Sequence, residues 1–165
     1  MDPPNGDPLQ YCEWPHLVHV PEQGGLPREF EELASIWIVS EPLTRVFESV
    51  DPEAFVFAAC DYTRGNGSPG RQYYLCDVVR TLDALNVEAS RVKTKYDRNF
   101  LTGEDEKFYS VFGGASLVFR DERVGDAHVF RQTLMSTDPV CDRVTYEALC
   151  TGDLHGVELR DAADP

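Results

Sequence analysis

Apolar residues recur along this chain in short bursts separated by turn-formers, a rhythm that suits short strands and short helices. SIWIV (35–39), FVFAAC (55–60) and YYLCDVV (73–79) are dense in β-branched and aromatic residues between turn signals, so each predicts a strand. Between the first two the period changes. Leu43, Val46, Phe47 and Val50 fall at i, i+3, i+4 and i+7, one apolar stripe on a helix. Ser40 is placed to cap that helix, with Glu41 and Pro42 in its first turn, and DPEA (51–54) ends it. Upstream, Pro27 is expected to open a short helix over REFEELA (28–34), whose acidic first turn suits the helix dipole.

Further on, TRGNGSPGRQ (63–72) predicts a loop and TLDALNVEAS (81–90) a loop or short helix. KFYSVFGGASLVFR (107–120) predicts one or two strands broken at Gly113-Gly114, with SLVFR (116–120) as an interior strand beside FVFAAC and YYLCDVV. ERVGD (122–126) is a turn and AHVFRQTLMS (127–136) is extended. The stretch 137–159 is expected to form a helix, a stop at Gly152 and a final strand at VEL. There is also an echo. IWIV before Ser40-Glu41-Pro42 resembles TLMS before Thr137-Asp138-Pro139, each leading to a helix and a strand. It is either an internal strand–helix–strand repeat or common capping chemistry used twice. The alternation predicts a single α+β domain with a mostly antiparallel sheet. Residues 1–10, with three prolines, are expected to be a flexible arm, 11–160 the domain, and 161–165 a polar tail.

Composition adds direction. The 165 residues are 42% hydrophobic, enough to bury a core. The net charge is −14, which argues against direct binding of nucleic acid or of anionic lipid. Residues 1–60 hold 11 acidic and 2 basic side chains, a balance of −9; residues 61–110 balance at zero and 111–165 at −5. The acidity therefore has an address. The start lacks a basic-then-apolar leader, and the longest apolar run is AFVFAAC (54–60), too short to span a membrane. Five scattered cysteines, Cys12, Cys60, Cys76, Cys141 and Cys150, suit reduced thiols and a cytoplasmic protein.

The candidates for chemistry are weak. Gly65-Asn66-Gly67-Ser68-Pro69-Gly70 spells G-x-G-x-x-G, but a dinucleotide site needs a helix to begin there, and here a strand follows. Cys12, His16 and His19 have ligand-like spacing without a fourth ligand, interleaved with Trp14, Leu17 and Val18 as in a packed strand. His128 and His155 lie near Cys141 and Cys150 without a nucleophile signature, and no G-x-S-x-G, HExxH or P-loop is present. The expectation is a non-enzyme with no cofactor and no metal. A small cytosolic enzyme with a Cys/His site and a metal-binding module on Cys12, His16 and His19 stand as alternatives.

One pattern spans most of the chain. Tyr73 and Tyr74 open a strand; Asp83, Ala84, Leu85 and Ser90 form a DAL…S turn; Phe130-Arg131 follows a Gly-Asp turn; Thr151-Gly152 closes a helix. Val39-Ser40-Glu41 adds a strand entering a helix. This order, over residues 36–159, resembles a bacterial family of immunity proteins encoded beside polymorphic-toxin genes, although Asn86 stands where a second acid is usual. The resemblance implies a non-enzymatic inhibitor in competition between bacteria, which occludes a toxin's active site or an adjacent exosite. It also implies that Tyr73, Tyr74, Asp83, Ser90, Phe130, Arg131 and Gly152 are structural. Phe130 is then expected to be buried and Arg131 to pair with a carboxylate, Asp83 being the choice.

The partner would be a cognate toxin domain with a basic surface, a nuclease above all, encoded by an adjacent gene. Its docking face is expected on the acidic first third, through Glu29, Glu31, Glu32, Glu41, Glu48, Asp51 and Glu53, with the loops at 63–72 and 97–106 as the alternative. In that reading Glu41, Glu48, Asp51 and Glu53 point outward while the helix buries its apolar stripe.

Overall fold

The computed structural model describes residues 8–11, 13–33, 36–99, 101–111, 114–135, 139–152 and 154–163. A single 3-10 turn (Pro8–Gln10) precedes β1 (His16–Val18), β2 (Phe30–Leu33), β3 (Ile36–Ser40), α1 (Glu41–Val50), β4 (Phe55–Thr63) and β5 (Tyr73–Val78). Then follow β6 (Thr81–Leu82), β7 (Lys93–Arg98), β8 (Asp105–Ser110), α2 (Asp121–Val124), β9 (Val129–Gln132), β10 (Val140–Cys141) and α3 (Arg143–Thr151). The class is α+β.

The main sheet runs β1-β4-β5-β3-β2, with β1 parallel to β4 and the other pairs antiparallel. A smaller sheet runs β10-β9-β6, and β7 pairs with β8 as a separate hairpin. Both faces of the main sheet are covered, which is why β3 and β5 read as continuous apolar runs. On one face Val39, Phe55, Cys76 and Val78 pack against Leu43 and Phe47 of α1, Val129 of β9 and Leu149 of α3. On the other, Ile36, Ile38, Cys60, Tyr62, Tyr73 and Leu75 form a second core with Tyr11 and Leu17. Aromatic rings link the first core. Phe30 meets Trp37 edge-on at 5.1 Å, and Phe47 stacks on Phe55 at 4.4 Å.

Helix α1 buries Leu43 and Phe47 as its stripe requires, with Val46 and Val50 half-buried. Its start differs from expectation. Ser40 holds the N-cap position, but its hydroxyl makes no capping bond and is buried without a partner among the described residues. The first turn is held instead by Pro42 and by Thr44, whose Oγ1 donates to the Ser40 carbonyl at 3.1 Å.

Three sequence expectations fail here. REFEELA is not a helix. Residues 30–33 form β2, paired to β3 from Phe30–Val39 to Leu33–Ile36, because the Phe30–Trp37 contact and the ladder outweigh the weak tendency of seven residues to nucleate a helix. SLVFR is not an interior strand. It makes only isolated bridges, Ser116 to Arg91 and Phe119 to Leu85, since its neighbour over 85–91 is itself a turn and cannot supply a ladder. The final strand at VEL is also missing, and α3 is capped by Asp142, whose carboxylate accepts from the Thr145 amide at 3.0 Å. The second limb of the echo is thus β10 followed by α3, with no closing strand. Thr137 and Asp138 lie outside the described residues.

Candidate interaction surface

The seven acids expected to form the docking face divide into those that hold the fold and those left to solvent. Glu29 accepts from Arg71 at 2.7 Å and from the His155 amide at 3.3 Å. Burial pushes its carboxyl up, but those bonds prevail and hold it below its ordinary value. Glu31 is clasped by Arg28 through Nε and Nη2 at 3.0 and 3.1 Å. Glu41 pairs with Arg45 one turn along α1. Asp51 does not point outward as expected: its side chain is 6% exposed. It accepts from Arg80 and from the amides of His128 and Val129 at 2.9 and 3.1 Å, so it joins the end of α1 to β9. Burial raises the Asp51 carboxyl, and this ring of donors lowers it further than burial lifts it. Glu53 is exposed and touches Arg80 only at 3.6 Å. Glu32 and Glu48 are exposed and, among the described residues, form no ion pair. Of the seven, the carboxylates left to solvent are therefore Glu32, Glu48 and, apart from its long contact with Arg80, Glu53.

Apart from Asp83, the motif residues expected to be structural are buried or half-buried. Tyr73 is buried and its hydroxyl donates to the Pro27 carbonyl at 2.8 Å, while Arg71 lies over its ring. Tyr74 packs against the α1 core. Phe130 is 3% exposed, as expected. Arg131 pairs with Asp77 at 2.6 Å, not with Asp83. The reason is register: Arg131 lies beside Thr81 in the β6–β9 pairing, which turns it toward the end of β5. Asp83 is exposed, and its carboxylate takes a long contact from Gln132 at 3.4 Å. The DAL turn is held by Gln132, a residue the sequence did not single out, whose buried Oε1 accepts from the Ala84 and Leu85 amides at 3.0 and 2.8 Å. Ser90 exchanges bonds with Val118. Gly152 is the C-cap of α3, after Thr151, and a side chain there would strike Leu154.

The ring of His128 faces Asp142 at 2.8 Å. Burial pushes the thiols of Cys60, Cys76 and Cys141 up, that of Cys60 to about 11, the opposite of an activated cysteine. The His16 ring bonds Thr63 and the His19 ring the Gly24 carbonyl, while Cys12 lies outside the described residues. Among the described residues no group of three metal-ligating side chains comes together. Gly65, Gly67 and Gly70 lie in the loop joining β4 to β5, with no helix after them. A groove of about 370 Å³ between Leu9, Tyr11, Trp14 and Phe57 has Glu13 as its one carboxylate among the described residues.

Further bare charge lies on the β7–β8 hairpin. Every side chain of β7 is exposed. In its ladder Asp97 stands opposite Glu106 and Arg98 opposite Asp105, and the connection at 99–104 carries Glu104. The sequence offered the loop at 97–106 only as the alternative interface, beside that at 63–72, because the local charge of residues 61–110 sums to zero and hid the division into a basic shaft and an acidic tip.

A scaffold of buried aromatics and arginine–carboxylate ties thus leaves carboxylates bare beside α1 and on the β7–β8 hairpin. The model of the immunity protein family (Imm11) matches residues 1–164. The chain belongs to this immunity protein family. Membership of Imm11 supplies the role: an immunity protein neutralises a cognate toxin by binding it. No curated protein matches the chain. The Imm11 match takes in the acidic first third as well as the motif-bearing remainder. Among the described residues no helix is long and apolar enough to cross a membrane.

Proposed function

We propose that this chain is the cytoplasmic, non-enzymatic antidote to a polymorphic toxin encoded by the adjacent gene, and that the toxin is a nuclease whose basic cleft it occludes. The observation that carries the reading is the immunity-family match over residues 1–164 on a chain of net charge −14. A nuclease cleft is built to hold phosphates, so it presents cations, and an acidic inhibitor meets that field with complementary charge. The bare carboxylates Glu32, Glu48 and Glu53 support a role for the first third in attracting such a partner. Glu29, Glu31, Glu41 and Asp51, each tied to an arginine, give that face its shape more than its field.

The test is co-expression. Bacteria producing the toxin domain of the neighbouring reading frame should survive only when this chain is also made, and the purified pair should form a 1:1 complex without nuclease activity. Cells that die equally with and without the chain would overturn the reading. Survival against a toxin that leaves nucleic acid intact would retain the antidote and remove the nuclease.

A further inference from the structure

The β7–β8 hairpin is anchored at one end and bare at the other. At its base Tyr109 and Ser110 are buried, and the Tyr109 amide donates to the Leu134 carbonyl at 2.7 Å. Further out, both faces of β7 are in water, an arrangement that is marginal for a two-stranded hairpin on its own. The tip is nevertheless built. The Asn99 Oδ1 accepts from the Leu101 and Thr102 amides at 2.8 and 3.2 Å, and its Nδ2 donates to Glu106 at 2.7 Å. The Asn99 amide donates to the Glu104 carbonyl, its own carbonyl accepts from Gly103, and Gly103 takes the positive φ of 75° that the turn requires.

What this loop presents is apolar and uncovered. Leu101 is 97% exposed and Tyr96, on the adjoining strand, 68%. Around them Asp97, Glu104, Asp105 and Glu106 outnumber the cations of that end of the ladder, Arg98 and Lys107, and among the described residues none of the four is in an ion pair. The direct opposition of Asp97 and Glu106 costs stability in the free protein. The arginine-held acids around α1 show the contrary arrangement.

We propose that the β7–β8 tip is the element that enters the toxin, with Leu101 as its apolar plug and the four carboxylates lying against a basic cleft. The proposal rests on the toxin-neutralising reading above and adds the surface that delivers it. A preformed loop loses little freedom on docking. A bare apolar anchor ringed by charge matches the centre-and-rim anatomy of strong interfaces. Cations in the cleft turn the Asp97–Glu106 repulsion into attraction. A second copy of this acidic chain would bring further carboxylates to the same place, so charge selects the basic partner.

The experiment uses the full-length chain and the toxin domain of the neighbouring reading frame. A tip variant, Leu101→Ala with Asp97→Asn, Glu104→Gln and Asp105→Asn, leaves Asn99 and Glu106 in place. It should melt as wild type yet bind at least 100-fold more weakly, chiefly through faster dissociation. In the wild-type complex, amide exchange over residues 95–107 should slow. A tip variant within threefold of wild type, or unchanged exchange there, would overturn the proposal even though the toxin is neutralised. Self-association of the wild-type chain that the tip variant abolishes, with toxin binding intact, would overturn it in favour of a second copy. A wild-type chain that fails to bind the toxin would instead sink the antidote reading, and the tip proposal with it.

Discussion

The Arg131 guanidinium reaches Asp77 at 2.6 Å while its Nε donates to the Val78 carbonyl at 3.0 Å, so one side chain ties β9 of the small sheet to the end of β5 in the main one. Both charges are partly shielded, with Asp77 13% exposed. Arg131→Ala should therefore cost about 1.5–3 kcal/mol, the range for a hydrogen bond to a charged group. Arg131→Lys should fall between, since a lysine keeps the charge but not the planar fork. Urea titration checks this through the midpoint. A wild-type midpoint for Arg131→Ala with loss of toxin neutralisation would make the residue part of the interface instead.

Asp51 should be the more sensitive position. Replacing it by Ala leaves Arg80 without its buried partner and leaves the His128 and Val129 amides without an acceptor. The expected loss is about 3–5 kcal/mol, typical of removing one partner from a buried pair. Asp51→Asn should lose less, because an amide oxygen still accepts from the backbone. Comparison of the two variants by thermal unfolding separates charge from hydrogen bonding.

The same contacts set the acid limit. The Asp51, Glu29, Glu31 and Asp142 carboxyls all lie below their ordinary values in the folded chain. A carboxyl lowered by folding binds its proton less readily in the native state, so it stabilises the fold above the unfolded value. That contribution is complete above about pH 5 and is lost as pH falls through about 4 and on through the depressed native values. Melting temperature should hold steady from pH 7 to 5 and drop below 4, with a smaller drop in Asp51→Asn. An equal drop in both would place the sensitivity on the other three.

How much of this the chain announces depends on the range of the cause. The strands at 36–40, 55–63 and 73–78 and the α1 stripe follow from local composition and period, and all appear. Residues 30–33 do not, because their strand exists only through pairing with β3, a non-local gain that spacing cannot display. SLVFR fails for the converse reason: its composition suits a strand, but its neighbour is a turn. The acidic run at 29–53 was legible as charge. Its partition was not, since Arg71 and Arg80 come from 42 and 29 residues away. Leu101 and Asn99 carried no local signal, for only the hairpin shows which one is buried in bonds and which is bare.

Cysteine chemistry separates the antidote from a thiol enzyme. Cys150 is exposed, whereas Cys60 and Cys76 are buried and Cys141 is half-buried, and burial pushes the thiols of these three up. In the native chain at pH 8, a thiol reagent should modify Cys150 much faster than Cys60, Cys76 and Cys141, which should follow only on unfolding. Alkylation of Cys150 should leave toxin neutralisation intact. Loss of protection on modification would reopen a chemical role for this thiol.

The acids beside α1 should act on approach more than on grip. Glu32, Glu48 and Glu53 are exposed, and of these only Glu53 touches a cation, at 3.6 Å. Exposed charges contribute little to a docked complex, but their summed field draws an oppositely charged partner from beyond contact. Changing all three to Gln leaves the Asp51–Arg80 tie intact and should not alter melting. Association with the basic toxin should slow by about three- to tenfold at low salt, and the dependence of the rate on salt should flatten, with dissociation nearly unchanged. Stopped-flow mixing across a salt series reads both slopes. If rate and salt slope match wild type, the attracting field belongs to the β7–β8 tip, where Asp97, Glu104, Asp105 and Glu106 stand without ion-pair partners among the described residues.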